Sequence, residues 1–234
     1  MFFKLVLLLY LLVIEAFGYR ALVEATDQGI LSSELAAKII KIPFKNGEAF
    51  SKGDLLVQYD CSLIKLQKEK IEAELVGLKT KADSYTKMFK LNSIGELDLI
   101  LANVQVKTKE AELKMANITV EKCELKAPYD GKVLKNMVHE YEYVGEQKEL
   151  ISIVGTKNLE LNILIPSKNL SSIAIGQKIS FVSDEKIGLA DGVVIGIDPS
   201  VDPVSQTIRI RAKLSNFNKY IVPGIVGNAQ FGKK

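Results

Sequence analysis

The stretch LKAPYDGKV, residues 125–133, decides how the chain is organised. It follows a long charged run rich in Glu, Lys, Leu and Ala, and it opens a segment rich in β-branched residues. Pro128 disfavours helix at Ala127, and Asp130-Gly131 supplies a turn. The chain therefore leaves a helical segment here and starts a strand. Working outward, residues 61–123 contain no Pro. Ile64, Ile71, Leu75, Leu78, Ala82, Tyr85 and Phe89 recur at heptad spacing,. A second seam is read through Leu97, Leu101, Val104, Ala111, Met115 and Ile118,. Asn92-Ser93-Ile94-Gly95 interrupts the two near the midpoint. The expectation is an antiparallel coiled-coil hairpin, each arm about 30 residues or about 45 Å long.

The flanks are β in character. In KIIKIPFKNGEAFSKGDLLVQYD (38–60), the turn signals Asn46-Gly47 and Lys52-Gly53-Asp54 separate short apolar runs,. GKVLKNMVHEYEYVGEQKELISIVG (131–155) reads as a weak repeat of it, with Leu55-Leu56 set against Leu150-Ile151 and Ile39 and Ile42 against Leu134 and Met137,. Neither half buries its apolar face alone, so together they form one small sandwich split by the hairpin. Beyond it, NLELNILIP (158–166) and TIRIRAKL (207–214) alternate apolar and polar residues with the period of half-exposed strands,. Turn signals at 175–177, 191–192, 198–199 and 223–224 delimit five or six strands, which suggests a small closed barrel. The fold class is mainly β with an inserted α-helical hairpin. The expected domains are 1–18 as a leader, 19–60 with 125–154 as the split β domain, 61–123 as the hairpin and 155–234 as the barrel.

Composition narrows the function. The net charge of +3 in 234 residues calls for neither nucleic acid nor an anionic surface as partner,. With one histidine, His139, there is almost no material for a His-rich metal site or a Ser-His-Asp triad,; His139 reads as a surface loop residue. Met88, Met115 and Met137 are scattered and read as packing. No enzyme activity, cofactor or metal is expected. The N-terminus pairs Lys4 with an apolar run from Leu5 to Ile14 and then Ala16-Phe17-Gly18. That is a secretory leader cleaved after Gly18; the competing reading is a retained anchor, although the run is short for a span. The mature chain is expected in the periplasm. Cys61 and Cys123 flank the hairpin at its base. Two readings stay open for them: a disulfide in an oxidising compartment, or two half-buried free thiols.

This order of parts resembles the periplasmic adaptor subunits, or membrane fusion proteins, of tripartite efflux and secretion systems, including the RND-type pumps. NGEAFSKGDLLVQYD (46–60) is similar to that family's first lipoyl-like half, and LKAPYDGKV to its entry into the second. GQKISF (176–181), IDPSVDPVSQTIRIRAKLSN (197–216) and VPGIVGNAQF (222–231) are similar to its barrel signatures. The resemblance implies a lipoyl-like sandwich. It implies an inner-membrane transporter and an outer-membrane channel as partners, and a homo-oligomeric ring or sheath with hairpins toward the outer membrane and barrels toward the transporter. It also implies partner contact at the hairpin tip, through Lys87, Leu91, Asn92, Ser93, Ile94 and Gly95.

The chain departs from the family pattern in three places. Where relatives that dock a channel carry an Arg, a Leu and a Ser near the tip, Lys87, Leu91 and Gly95 stand here, so docking implies different contacts. Tyr141 and Lys148 are read at positions where the second lipoyl-like half usually has glycines. The chain ends at Lys234, soon after Pro223-Gly224, and the family's membrane-proximal domain is expected to be missing. Two rival classes remain: a periplasmic coiled-coil scaffold or chaperone without a transporter, and a lipoyl or biotinyl carrier. The carrier reading needs a modified Lys at a tight turn, and the hairpin occupies that place.

Overall fold

The computed structural model describes residues 18–232, so the leader expectation lies outside the described residues. Two compact units divide the chain: residues up to 28 together with those from 154 onward, and residues 29–153.

The first unit is a closed barrel. Its strands are β1 (Tyr19–Ala25), β10 (Leu159–Pro166), β11 (Lys178–Ser183), β12 (Leu189–Ile197), β13 (Thr207–Phe217) and β14 (Val226–Phe231), in the spatial order β1-β10-β13-β12-β11-β14. The period-two alternation sends Leu159, Leu161, Ile163 and Ile165 inward from β10, and Ile208, Ile210, Ala212 and Leu214 inward from β13. Burying each large aliphatic contributes about 1.5–3 kcal/mol. Phe181 fills the centre of β11 opposite Ala229 of β14. Gly227 leaves the room: a Cβ there would lie 2.7 Å from the Phe181 ring.

The sequence reading put residues 19–60 in the split domain, and the structure corrects this for the first of them. Tyr19–Ala25 is a barrel strand, paired to β10 on one side and β14 on the other. The physical reason is edge closure. The region from 155 onward supplies five strands, and without β1 the edges of β10 and β14 would be open. The alternation of buried Ala21 and Val23 with more exposed neighbours in YRALVEA was the available signal.

The second unit holds the sandwich and the hairpin. The remaining strands are β2 (Gln28–Ser32), β3 (Ala37–Lys41), β4 (Ala49–Phe50), β5 (Leu55–Tyr59), β6 (Glu124–Lys126), β7 (Gly131–Asn136), β8 (Tyr143–Val144) and β9 (Glu149–Gly155). They form two four-stranded sheets, β2-β9-β7-β4 and β6-β5-β3-β8. Each sheet takes two strands from before the hairpin and two from after it, so neither half folds without the other. LKAPYDGKV is where they are stitched together. The Gly53 N–H donates to the Ala127 carbonyl, the Ala127 N–H to the Asp54 carbonyl, and the Lys52 N–H to Asp130 Oδ1 at 2.7 Å.

The internal repeat is present, one residue out of the register read from the sequence. Ile39 corresponds to Val133 rather than Leu134: Ile39 and Val133 are both buried, whereas Leu134 is exposed. Phe50 likewise matches Val144, and Leu56 matches Leu150. A one-residue slip exchanges the faces of a strand. The turn residues follow the corrected register. Gly47 and Gly53 have φ of 86° and 90°, and their counterparts Tyr141 and Gln147 have 70° and 63°. The second departure from glycine is therefore Gln147, not Lys148.

A left-handed backbone costs an L-residue about 1–2 kcal/mol, partly offset by the extra unfolded-state freedom of glycine. Gln147→Gly is therefore expected to raise stability by up to about 1 kcal/mol, read as a higher urea midpoint at unchanged slope.

Candidate functional site

Residues 62–121 build the feature that sets this chain apart from a plain sandwich. Helix α1 is Ser62–Lys90 and α2 is Glu96–Glu121. At their base Cys61 and Cys123 are joined by a disulfide, their Cα atoms 6.0 Å apart, and both residues are buried in the sandwich core. Of the two readings left open by the sequence, the structure has the bonded one. The bond fixes where the two helices enter and leave, and so fixes their levels. Ion pairs continue that register. Lys79 Nζ lies 2.8 Å from Glu110 Oε1, and Lys109 Nζ donates to Glu74 Oε2 at 2.9 Å and to Glu112 Oε2 at 2.6 Å.

These bonds shift the groups involved. Hydrogen bonding from Lys109 holds the Glu74 carboxyl below the ordinary glutamate range, and Lys79 does the same for Glu110. Hydrogen bonds to Glu112 and then Glu74 hold the Lys109 ammonium above the ordinary lysine range. The contribution of the two carboxylates is present above the ordinary glutamate range and is lost as pH falls through their depressed values. That of Lys109 is present below the ordinary lysine range and is lost as pH rises through its raised value.

The seam of α1 is the one read from the sequence: Leu75 and Ala82 are buried, and Ile64, Ile71, Leu78 and Tyr85 half-buried; Phe89, nearest the tip, is exposed. The seam of α2 is not. The side chains facing α1 come from Leu99, Ala102, Val106, Lys109, Leu113, Ala116 and Val120, which are buried or half-buried at heptad spacing. Leu97, Leu101, Val104, Ala111, Met115 and Ile118 are exposed, with Leu97 67% and Met115 69% accessible. Helix α2 therefore carries two apolar stripes, and periodicity alone does not say which one meets α1. Ala102 and Ala116 are small, and the ion pairs of Lys109 need close approach. Together these select the thinner stripe. Met88 and Met115 are exposed as well, which corrects their reading as core residues.

The tip is a tight cap. The Ser93 N–H donates to the Met88 carbonyl and the Asn92 N–H to the Phe89 carbonyl, both at 2.9 Å, with Asn92 at φ 57°. This is a Schellman closure with asparagine in the position glycine usually takes. The turn is therefore made at Asn92, while Gly95 is the extended N-cap of α2. Lys87 and Lys90 sit in the last turn of α1, and Glu96 and Asp98 in the first turn of α2, each complementing the helix end it occupies,. Lys87, Leu91, Asn92, Ser93 and Gly95 are exposed. Ile94, expected among the contact residues of the tip, is half-buried. The apolar surface at the tip comes from Leu91, 75% accessible, and Leu97.

Among the described residues no group of three or more His, Cys, Asp or Glu is placed to hold a metal ion. The side chain of His139 is 94% accessible. In the barrel loop before β13, Asp202 Oδ1 accepts from the Val204 and Ser205 N–H groups and the Ser205 hydroxyl, which holds its carboxyl below the usual range.

Residues 161–234 match the family model of the CusB-like β-barrel domain. Among curated relatives, a multidrug resistance protein MdtA of Salmonella heidelberg is 24% identical over 235 residues, covering 89% of this chain and 56% of its own length. The chain spans about half the length of the curated relatives it matches. Among solved structures, a MacA-MexA chimeric protein containing the Pseudomonas aeruginosa MexA α-hairpin domain superposes with a TM-score of 0.78 at 17% identity, over 91% of this chain and 79% of that one. A membrane fusion protein of Streptococcus pneumoniae gives a TM-score of 0.73 at 17% identity, over 92% and 98%. The fold is that of the membrane fusion proteins. The resemblance to that family read from the sequence is borne out, and the barrel is one of the CusB-like type.

Two outcomes test the hairpin. Replacing both cysteines by serine is expected to lower stability by about 4 kcal/mol, the chain-entropy value for a loop of this length, measured by urea unfolding. In Lys109→Met the Glu74 carboxyl is expected to titrate at higher pH, back toward the ordinary glutamate range, followed by carbonyl NMR.

Proposed function

We propose that the chain is a periplasmic adaptor that links an inner-membrane transporter to an outer-membrane channel during export. The observation that supports it best is the combination of parts within one chain. A sandwich is split by a disulfide-closed helical hairpin with an exposed apolar tip, and a CusB-like barrel accompanies it. Among the relatives, the name multidrug resistance protein agrees with a role in export.

In this reading the protein acts by binding, with no chemistry of its own. Leu91, with Lys87 below it on the same face of α1, is the core of the channel contact, and Asn92, Ser93, Ile94 and Gly95 shape the turn that presents it. The barrel meets the transporter. Several copies line the conduit side by side, and weak contacts repeated around a ring gain strength from multivalency. The leader directs export and is then removed or kept as an anchor. Among the described residues no helix is long and apolar enough to cross a membrane.

The test is photocrosslinking in cells from two exposed positions, Asn92 at the tip and Ser171 in the barrel unit. Position 92 is expected to capture an outer-membrane channel and position 171 an inner-membrane transporter, whose class identifies the cargo. Capture of no membrane protein by either, from a folded and expressed chain, would replace this reading with that of a scaffold or chaperone.

A further inference from the structure

The disulfide at the hairpin base joins two sulfurs in unlike surroundings. Cys61 is the N-cap of α1, and Cys123 follows Lys122, the C-cap of α2. Each cysteine is only 4% accessible, so a reagent reaches the bond through a gap in the packing or by unfolding the chain. The base of the hairpin has such a gap. A cleft of about 560 Å³ counts Lys65, Val120, Glu121 and Cys123 among its lining residues, and Cys61 is not one of them. Its volume lies in the range that holds a small molecule. An adduct on Cys123 therefore has room to form without expansion of the core.

The helix ends act oppositely on the two sulfurs. The positive end of α1 favours a thiolate at Cys61, whereas the negative end of α2 disfavours one at Cys123. Cys123 Sγ lies 3.8 Å from the Thr119 carbonyl oxygen, in the last turn of α2. That oxygen accepts from a thiol S–H and repels a thiolate. Carboxylates adjoin both cysteines in the chain. Asp60, held by the Ser62 N–H and hydroxyl, precedes Cys61, and Glu124, paired with Lys126, follows Cys123. These offset one another, so the helix ends decide, and Cys61 is the better leaving thiolate. In thiol–disulfide exchange the less basic sulfur departs faster. Access and leaving ability thus select the same direction of attack.

We infer that Cys123 is a site of reversible S-thiolation, at which an external monothiol attacks through the cleft, with Cys61 as the internal thiol that leaves and returns. A bond forms between the reagent sulfur and Cys123 Sγ as the Cys61–Cys123 bond breaks. The electron pair of the broken bond departs on Cys61 Sγ, which takes a proton from solvent. A second molecule of the thiol then attacks the sulfur of the first. It releases the reagent as its own disulfide and leaves both cysteines reduced. Closure runs in reverse, with that small disulfide as the oxidant: Cys123 takes up the mixed disulfide, and the Cys61 thiolate displaces the thiol from it. The sandwich stays paired meanwhile, because the Tyr59 N–H donates to the Cys123 carbonyl at 3.0 Å whether or not the sulfurs are joined. The base of the hairpin is thus opened and closed by a thiol without unfolding the sheets that carry it.

The test treats the folded, full chain with reduced glutathione as the thiol. The reaction is stopped with acid, and free thiols are capped with N-ethylmaleimide. Cleavage at Lys65 and Lys122 puts the two cysteines on separate tryptic peptides for mass spectrometry. Early in the reaction, glutathione on Cys123 with maleimide on Cys61 is expected to exceed the reverse arrangement about fivefold. The initial rate is expected to stay flat as urea rises toward the onset of unfolding, because the native chain is the reacting state. The inference is overturned if Cys61 carries as much glutathione as Cys123 or more. It is equally overturned if the rate climbs with urea along the slope of equilibrium unfolding, or if the folded chain forms no adduct. No transporter or channel enters these readouts, so their failure is separate from any failure of the adaptor reading.

Discussion

The bond between Cys61 and Cys123 is the constraint on which the second unit hangs. A sandwich whose strands come half from before and half from after a long insertion has to bring the two ends of that insertion together. The chain-entropy cost of closing a loop this long is about 4 kcal/mol, a large part of the stability of an ordinary domain. The disulfide removes that cost from folding by limiting the unfolded chain. It sits in the same core as Leu56, Leu150 and Ile151. Sheet packing and hairpin entry are therefore one structural event, and the helices leave the sandwich with their levels already set.

Those levels determine what the hairpin does along its length. The seam is thin: only Leu75, Ala82 and Ala102 are buried, the rest are half-buried, and the Lys109 and Lys79 ion pairs supplement it. Exposed ion pairs contribute little each, so they serve better to select register than to add stability. The larger apolar side chains of α2 point away from α1. A helix that leaves its bulkier stripe in water has that surface available for association.

The barrel shows the same logic of shared edges. Five strands from the C-terminal region need a sixth, and it comes from Tyr19–Ala25, far away in sequence. Hydrophobic alternation made the five legible as strands. It gave no information on which distant segment would close them, because strand pairing is a relation between segments. The lipoyl-like repeat was legible in the same limited way. Its existence followed from turn residues and apolar runs, but its register was set by the left-handed turns at Tyr141 and Gln147, which carry no glycine to mark them.

At the hairpin tip, the sequence marked the break between the helices at Asn92-Ser93-Ile94-Gly95, near the midpoint, but not which of these residues makes the left-handed turn. The structure makes it at Asn92, and the hydrogen bonds of Ser93 and Asn92 to Met88 and Phe89 are the reason. By itself, then, the sequence determined the strand or helix character of the hairpin and its flanks, the near-equal arms of the hairpin and the family resemblance, because periodicity, capping and turn chemistry are local. Tertiary structure decided which stripe of α2 faces inward, which strand closes the barrel, which face each repeat strand buries and that the two cysteines meet. Each of these depends on what stands opposite a residue across space, and a heptad or a period of two says only that some face is apolar.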